Sequence, residues 1–393
     1  MKKSIRKILV IFFGLILIIS LGAGSAAAEP AVKEWKVPFL IFLTGPYAGF
    51  GKQIKWSVDE AVREINAAGG IAGRPIVIEY HDTGIDPAKA AAEMSKVVEH
   101  SLVIFGPIGA PPAKAALPLV AREKAFAMAV TIGAEISIQF QPYTVHLTDT
   151  FEKVTPPAVN EWIKRNSDMK KVVQFLFPLD PTFAVVIKVQ GDIMKAHGIE
   201  VMPTVELGEG VDMASAVVKA MAYKPDGFTI MTLPVDAAKI MKELDKRGVK
   251  DKSKVLGANV VDDPSFYELG KGCINGTYLW NFVNSMSEKP KWKALFRKYR
   301  KAFPEFKDPT FGVIFNYDMV YMTKMAIEAT GATGDPAKLA EERKKIMDYC
   351  RNLKGFPGVQ YDYDTVDGLG RTPTFLFQVQ GDQKQLVKTF APM

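Results

Sequence analysis

The sequence predicts an α/β protein of two doubly wound lobes, each with three layers, in which helices cover both faces of a parallel sheet. Three observations predict this class: a strand–loop–helix–strand unit at 37–87, strand–helix alternation that continues to about residue 130, and a second alternating series at 171–256. Such alternation is typical of parallel sheets with right-handed crossovers. A chain of 393 residues is long enough for two compact domains.

The opening unit begins with an apolar run at 37–43, which has the length of a buried strand and ends at Thr44-Gly45. Apolar residues then recur with the helical period from Ile54 to Ile65, and Gly69-Gly70 predicts the end of that helix. Residues 75–81 alternate as a second strand. Ligands of open parallel sheets bind beyond the carboxyl ends of the strands, so the loop after residue 43 is the first candidate site.

The alternation continues past the opening unit in two series: short apolar strands are followed by helices, several with a proline or an acidic residue at the start. In the first series the strands are predicted at 102–105 and 125–130, with a helix at 111–122. In the second series the predicted strands are 171–177, 199–205, 227–232 and 254–256, and the predicted helices are 151–166, 182–197, 212–223 and 234–247.

The end of the chain returns from helices to strands. Long helices are predicted at 292–303, 312–330 and 336–353, and strands at 277–283, 359–363, 374–380 and 385–389. This order predicts that the chain revisits each lobe, through several crossover strands that act as a hinge. We expect an N-terminal lobe of residues 29–147 with 283–357, and a C-terminal lobe of residues 148–282 with 358–393.

The first 28 residues have the pattern of a signal peptide. Lys2, Lys3, Arg6 and Lys7 precede an apolar stretch, and three alanines stand immediately before Glu29. The apolar stretch is short for a membrane anchor, which needs about 20 residues. We therefore expect a cleaved signal peptide at 1–28 and a mature protein exported to the periplasm.

The bulk composition and the motifs argue against several functions. The formal charge of +7 is spread along the chain, so we expect no nucleic-acid partner. Cys273 and Cys350 either pair or remain separate buried thiols, and they and the four histidines predict no metal site. The sequence has no Gly-x-Ser-x-Gly motif and no nucleotide fingerprint, and the loop 48–51 lacks the Lys-Ser/Thr of a P-loop. We expect a protein that is not an enzyme and needs no cofactor.

Four stretches carry a resemblance to a known family: 44–48 (Thr-Gly-Pro-Tyr-Ala), 65–73 (Ile-Asn-Ala-Ala-Gly-Gly-Ile-Ala-Gly), 81–90 and the Gly106 loop. With the signal peptide, they resemble the type I periplasmic solute-binding proteins of ABC importers, in the branched-chain amino-acid (Leu/Ile/Val) branch. The resemblance implies two lobes with three connections, which close over a small ligand without a reaction. It also implies a permease of the inner membrane as the partner and a monomeric protein. A ligand-sensing subunit for a membrane receptor on the same fold is the alternative.

The resemblance also implies a set of ligand-binding residues. The family's carboxylate loop corresponds to Gly109 and Ala110, where a serine would be expected at Ala110, and the next strand end corresponds to Thr131 and Ile132. Two expected tyrosines correspond to Phe183 and Leu233, and the acid that would pair a ligand ammonium corresponds to Asn259. The complete set, with the first loop, is Tyr47, Phe50, Gly109, Ala110, Thr131, Ile132, Phe183, Leu233 and Asn259.

This set favours a small apolar or aromatic ligand, with a carboxylate or an amino acid as alternatives. A buried ammonium without a carboxylate partner costs several kcal/mol, and Asn259 is neutral. Pro111 removes a backbone N–H where an anion would need one. Each residue also has a structural interpretation: Tyr47 packs its own loop, Phe183 and Leu233 belong to a core between the lobes, or Asn259 completes a turn.

Overall fold

A computed structural model describes residues 32–45, 47–129, 134–178, 180–208, 210–306, 308–381 and 383–392, without the side chain of residue 129. The strands are β1 (Trp35–Ile41), β2 (Ile76–Asp82), β3 (Ile104–Phe105), β4 (Ala127–Ala129), β5 (Thr144–His146), β6 (Lys171–Leu176), β7 (Glu200–Val201), β8 (Val205–Glu206), β9 (Gly227–Met231), β10 (Val255–Gly257), β11 (Tyr278–Asn281), β12 (Asp364–Val366), β13 (Leu369–Arg371), β14 (Thr374–Gln380) and β15 (Gln383–Phe390). The helices are α1 (Ala48–Ala67), α2 (Pro87–Val97), α3 (Ala110–Arg122), α4 (Phe151–Val154), α5 (Pro156–Arg165), α6 (Pro181–Ala196), α7 (Met213–Ala222), α8 (Pro234–Lys246), α9 (Pro264–Leu269), α10 (Pro290–Ala302), α11 (Phe311–Thr330) and α12 (Leu339–Arg351).

The strands form two sheets with the same winding. The first has the order β12-β13-β5-β4-β3-β1-β2, and the second has the order β15-β14-β11-β10-β9-β6-β7, with β8 also paired to β6. In each sheet the first strand lies between the second and the third, which is the doubly wound arrangement. Antiparallel strands (β12 in one sheet, β14 and β15 in the other) are added at one edge of each. The predicted fold class of two α/β lobes is confirmed.

The chain passes between the two sheets three times within the part that the structure describes. The first crossing follows β5 at 147–150, the second follows β11 at 282–289, and the third joins β13 to β14 at 372–373. Three adjacent crossings are what a hinge between two lobes requires, and the expectation of a three-strand hinge is met.

The last part of the predicted division differs from the structure. Residues 364–371, which the sequence analysis placed in the second lobe, form the β12–β13 hairpin and pair with β5 of the first sheet. Asp367 and Gly368, both with positive φ, form its two-residue turn. Residues 359–363, predicted as a strand, form only an isolated bridge between Phe356 and Tyr363. The chain enters the second lobe for the last time at Thr374.

An ion pair joins the first crossing to the end of β13, next to the third crossing. Asp149 lies on the first crossing and is 4% exposed, and its carboxylate pairs with Arg371 at the end of β13. Lys153 also lies 3.4 Å from the Asp149 carboxylate. Just after the third crossing, the Thr374 hydroxyl donates a hydrogen bond of 2.9 Å to the carbonyl of Val154. The hinge is therefore held by buried polar contacts as well as by the backbone.

Apolar packing is continuous from one lobe to the other. A chain of ring contacts runs from Phe151 through Trp280 and Phe282 to Phe311, with centroid separations of 6.1, 6.4 and 5.6 Å. Phe151 and Trp280 belong to the second lobe, Phe282 lies on the second crossing, and Phe311 begins α11 of the first lobe. These rings connect the apolar cores of the two lobes, and we call this region the base of the cleft that a two-lobed fold implies.

The remaining expectations concern the signal peptide, the two cysteines and metal binding. The predicted signal peptide lies outside the described residues, and no described helix is long and apolar enough to cross a membrane. Cys273 and Cys350 are both free, so the alternative of a disulfide is wrong. In the described ranges, no three His, Cys, Asp or Glu side chains are grouped so that they could hold a metal ion.

Candidate functional site

The predicted site residues that the structure describes lie where strands of the two sheets end. In the first sheet, β1 leads to the segment 42–50, and β3 leads to 106–110. In the second sheet, β6 leads to 177–183, β9 leads to 232–233, and β10 leads to 258–263. Carboxyl ends of neighbouring parallel strands meet at one edge of a sheet, so each lobe presents its loops together at this edge.

A partly exposed hydrogen-bond network at Asp82 fixes the loop after β1. The Asp82 carboxylate accepts hydrogen bonds from the N–H of Leu43 (2.7 Å) and from the Thr44 hydroxyl (2.6 Å), and the N–H of Gly84 donates at 3.0 Å. Burial opposes ionisation of Asp82, but these donors outweigh it and hold the pKa of that carboxyl well below its usual range. The start of α1, with Tyr47 before it, is therefore held against β2.

Aromatic rings cover this part of the first lobe. Phe42 lies 5.7 Å from Tyr47 and 6.0 Å from Phe50, measured between ring centroids. Phe50 in turn lies 5.4 Å from Phe311, which joins it to the rings at the base of the cleft. Tyr47 and Phe50 remain half-buried, so both keep apolar surface that a ligand could cover.

The loop after β3 contributes backbone more than side chains. Gly109 has a φ of 96°, and a methyl group in its place would lie 3.3 Å from Ile85 and 3.6 Å from Phe42. Ala110 begins α3 and is fully buried in the core of that helix, so its methyl group is not offered to the cleft. Thr131 and Ile132, the predicted residues of the next strand end, lie outside the described residues.

Asp180 brings a carboxylate of the second lobe toward Tyr47. Burial raises the pKa of the Tyr47 hydroxyl, and the negative charge of Asp180 raises it further. One Asp180 oxygen accepts hydrogen bonds from the N–H and the hydroxyl of Thr182, at 2.9 and 2.6 Å, and so caps α6. Burial raises the pKa of Asp180 as well. Asp180 is not among the residues predicted from the sequence, where its only signal is an Asp-Pro pair at the start of a helix.

Phe183 and Leu233, the other predicted residues of the second lobe, differ in exposure. Phe183 is 2% exposed and packs against Phe177, with 6.3 Å between the ring centroids. Leu233 is half-buried and stands immediately before α8. The structure thus gives Phe183 the position of a core residue and leaves part of Leu233 accessible.

Asn259 is buried with no hydrogen-bond partner. Its side chain is 2% exposed, and neither the amide nitrogen nor the amide oxygen meets a donor or acceptor within the described residues. The interpretation that Asn259 completes a turn is not supported, because that role needs a side-chain hydrogen bond. Buried amides are rarely left unsatisfied, so a partner is expected from outside the chain.

A charged cluster joins the lobes beside this edge. Lys384 of β15 contacts both oxygens of Asp262, at 2.9 and 2.8 Å, and lies 3.6 Å from Asp308 in the loop between α10 and α11. Tyr267 and Asn281 donate further hydrogen bonds to Asp262, at 2.7 and 2.9 Å. Burial opposes the charge of Lys384, but Asp262 and Asp308 outweigh it and raise the pKa of the ammonium. The three charges are far apart in the sequence, and no local pattern indicates the cluster.

Comparison with known proteins gives one family. The family model for periplasmic binding proteins matches residues 34–384. A Leu/Ile/Val-binding protein homolog 7 of Brucella abortus is 25% identical over 307 residues, or 74% of this chain and 76% of that protein. The Leu/Ile/Val-binding protein BraC3 of Rhizobium johnstonii is 34% identical over 90 residues, 23% of this chain, and that match spans only 24% of the relative's own length.

Solved structures agree on the fold. The leucine binding protein LivK of Thermotoga maritima superimposes with a TM-score of 0.76 at 19% identity, covering 91% of this chain and 99% of that one. A solute-binding protein of an ABC transporter of Rhodopseudomonas palustris, in complex with 3,4-dihydroxybenzoic acid, gives a TM-score of 0.77 at 20% identity and covers 92% and 98%. At these identities the likeness establishes the two-lobed fold.

Proposed function

Because the chain belongs to the periplasmic binding protein family, we propose that it is the substrate-binding component of an ABC importer and closes its two lobes over a small aromatic or apolar acid. The observation that carries the proposal is the cleft between two strand-end edges, with half-buried aromatic rings on one side and the unpartnered Asn259 on the other. The ligand leaves unchanged, and the partner is a permease of the inner membrane.

The surface that faces the cleft favours a ligand with an apolar body. Phe42, Tyr47, Phe50 and Phe311 form one connected group of rings in the first lobe. Burial of an aromatic ligand against such rings removes apolar area from water at about 25 cal/mol per Å². Stacked and edge-on contacts add about 0.5–1.5 kcal/mol for each ring pair. The dihydroxybenzoic acid bound by the Rhodopseudomonas palustris protein has this chemistry.

An amino acid is the second candidate, and Asp180 is the observation that favours it. Its carboxylate acts on Tyr47 across the cleft and could pair with a ligand ammonium that Asn259 cannot neutralise. Its raised pKa weakens that role, since part of the anchor's charge is lost toward acidic pH. The alternative of a sensing subunit has no support in the relatives, which are binding proteins.

A thermal-shift screen of the mature protein tests the ligand class. We expect benzoate and 4-hydroxybenzoate to raise the melting temperature more than leucine does at equal concentration, because binding to the native state stabilises it by mass action. Phe50→Ala should reduce the shift given by the acids by at least half, since it removes a ring of the cleft. Leu386→Ala, at an exposed position of β15, is the control and should leave the shift unchanged.

A selective shift with leucine, and none with either acid, would contradict the proposed ligand class. In that case Asp180→Asn should abolish the leucine shift, which would establish the second candidate. Equal shifts in Phe50→Ala and in the unmodified protein would remove Phe50 from the site.

A further inference from the structure

Two polar side chains at neighbouring strand ends of the second lobe have no hydrogen-bond partner in the part of the chain that the structure describes. Asn259 follows β10, and both polar atoms of its amide are unsatisfied. Thr232 follows β9, is fully buried, and its hydroxyl also has no partner within the described residues. A buried polar group normally has a hydrogen-bond partner in the folded protein or in what it binds, and here two such groups lie at the proposed ligand edge.

The register of the sheet places these two residues at the ends of adjacent strands. β9 and β10 are parallel, with Thr229 beside Leu256 and Ile230 beside Gly257. The N–H of Ala258 donates 3.0 Å to the carbonyl of Ile230, so the pairing continues past the end of β10. Asn259, where a 3-10 turn begins, and Thr232 are the next residues after this pairing, so both lie at the ends of adjacent strands, whose spacing is about 5 Å.

Phe177, at the end of β6, lies next to Thr232 at the same edge of the sheet. The N–H of Phe177 donates 2.9 Å to the carbonyl of Met231, which continues the pairing of β6 with β9 and sets Phe177 on the other side of Thr232. Phe177 is half-buried. The two polar groups therefore lie beside an aromatic ring that can contact the body of the ligand.

The chemistry of the pair selects among ligand groups. An amide offers a donor and an acceptor, a threonine hydroxyl offers both, and neither carries charge. A carboxylate has no hydrogen to donate and so cannot use the amide oxygen. An ammonium cannot use the amide N–H. A hydroxyl uses both roles, because it donates to one partner and accepts from the other.

We propose that Thr232 and Asn259 bind a hydroxyl group of the ligand, so that the protein prefers hydroxylated aromatic acids to their unsubstituted analogues. This inference rests on the proposed function and specifies the substrate class of the same site. Thr232 positions and recognises the hydroxyl together with Asn259. The ligand then enters with its hydroxyl toward the second lobe and its ring against the aromatic residues of the first.

Calorimetric titration of the full mature protein with benzoate and with 4-hydroxybenzoate tests the pair. We expect 4-hydroxybenzoate to bind at least about tenfold more tightly, because a site built for a hydroxyl is left with unpaired polar groups by the analogue that lacks it. Thr232→Val, which keeps the side-chain shape, should lower the affinity for 4-hydroxybenzoate at least about fivefold and leave that for benzoate unchanged. Asn259→Leu should abolish the preference.

Thr277→Val is the matched control. Thr277 is also buried and its hydroxyl is also unpartnered, but it precedes β11 and so lies at the opposite edge of the sheet. Its replacement should change neither affinity, while circular dichroism checks that all variants are folded.

The outcomes separate this inference from the function on which it rests. Binding of both acids with equal affinity, or an unchanged preference in Thr232→Val, overturns the inference and leaves the aromatic-acid receptor in place. Binding of neither acid overturns both the ligand class and the inference. A retained preference in Asn259→Leu would show that the hydroxyl is bound elsewhere and also overturns the proposal.

Discussion

Replacement of Lys384 by methionine should destabilise the protein strongly, although the residue lies near an edge strand. The ammonium is 7% exposed and contacts both oxygens of Asp262, whose side chain is 1% exposed. Lys384→Met keeps much of the volume but leaves the Asp262 carboxylate buried without its countercharge. Breaking a buried ion pair by removing one partner costs about 3–5 kcal/mol.

The expected cost lies near the lower limit of that range. Tyr267 and Asn281 continue to donate hydrogen bonds of 2.7 and 2.9 Å to Asp262, so the carboxylate keeps part of its stabilisation. Asp308, 3.6 Å from the ammonium and more exposed, loses a weaker interaction. We expect Lys384→Met to lower the free energy of unfolding by about 3 kcal/mol, measured by urea denaturation at pH 7.

Lys388 supplies the control on the same strand. Its ammonium lies 2.8 Å from Glu161, but the side chain is 47% exposed, and exposed pairs contribute about 0–1 kcal/mol. Lys388→Met should therefore change stability by less than about 1 kcal/mol. The double variant Lys384→Met with Asp262→Asn should recover part of the loss, because it removes the unpaired charge. Equal effects of Lys384→Met and Lys388→Met would refute the reasoning.

Two further predictions concern stability within the first lobe. Burial raises the pKa of Asp318 to about 7 in the folded protein. The carboxyl therefore holds its proton more tightly in the folded state than in the unfolded state. The resulting stabilisation is complete below about pH 4 and is lost as the pH rises toward 7. Asp318→Asn should flatten the dependence of unfolding free energy on pH between 4 and 7 by up to about 4 kcal/mol; urea midpoints that keep the original slope would contradict this. Gly51→Ala should cost about 2 kcal/mol or more, because the new methyl carbon would lie 1.8 Å from the Phe42 carbonyl oxygen. Gly49→Ala on the same helix, with nothing within 4 Å, should be neutral or slightly stabilising, and similar urea midpoints for both variants would be inconsistent with that geometry.

The fold could be predicted because strands and helices leave patterns of apolar residues within short stretches of sequence. The opening strand and helix were predicted from an apolar run and a helical period, and β1 lies within two residues of the predicted range. The helix α1 begins earlier than predicted, at Ala48, so residues 48–51, predicted as part of a loop, form its first turn. The β12–β13 hairpin was assigned to the wrong sheet because strands of three residues are too short for their sequence pattern to indicate which strand they pair with. Its pairing with β5 depends on contacts across more than 200 residues of sequence.

The candidate site was harder to predict, because it is marked by buried polar side chains without hydrogen-bond partners, and burial cannot be determined from the sequence alone. Asn259 was proposed through the family resemblance, and that assignment stays a prediction; only the structure shows that its amide has no partner among the described residues. Thr232 has the same property and gave no signal beyond a polar residue at a strand end. Ala110 was also proposed through the family resemblance, but its side chain is fully buried in an apolar core of the first lobe.

The ion pair between Asp149 and Arg371 limits how the two lobes can move. It ties the first crossing to the end of β13, so torsion in one strand is transmitted to the other. Independent twisting of either strand would separate two charges in a poorly hydrated place, whereas a common bend keeps them together. The lobes should therefore swing about a single axis through the paired strands, with little shear, and return to the same register after each cycle.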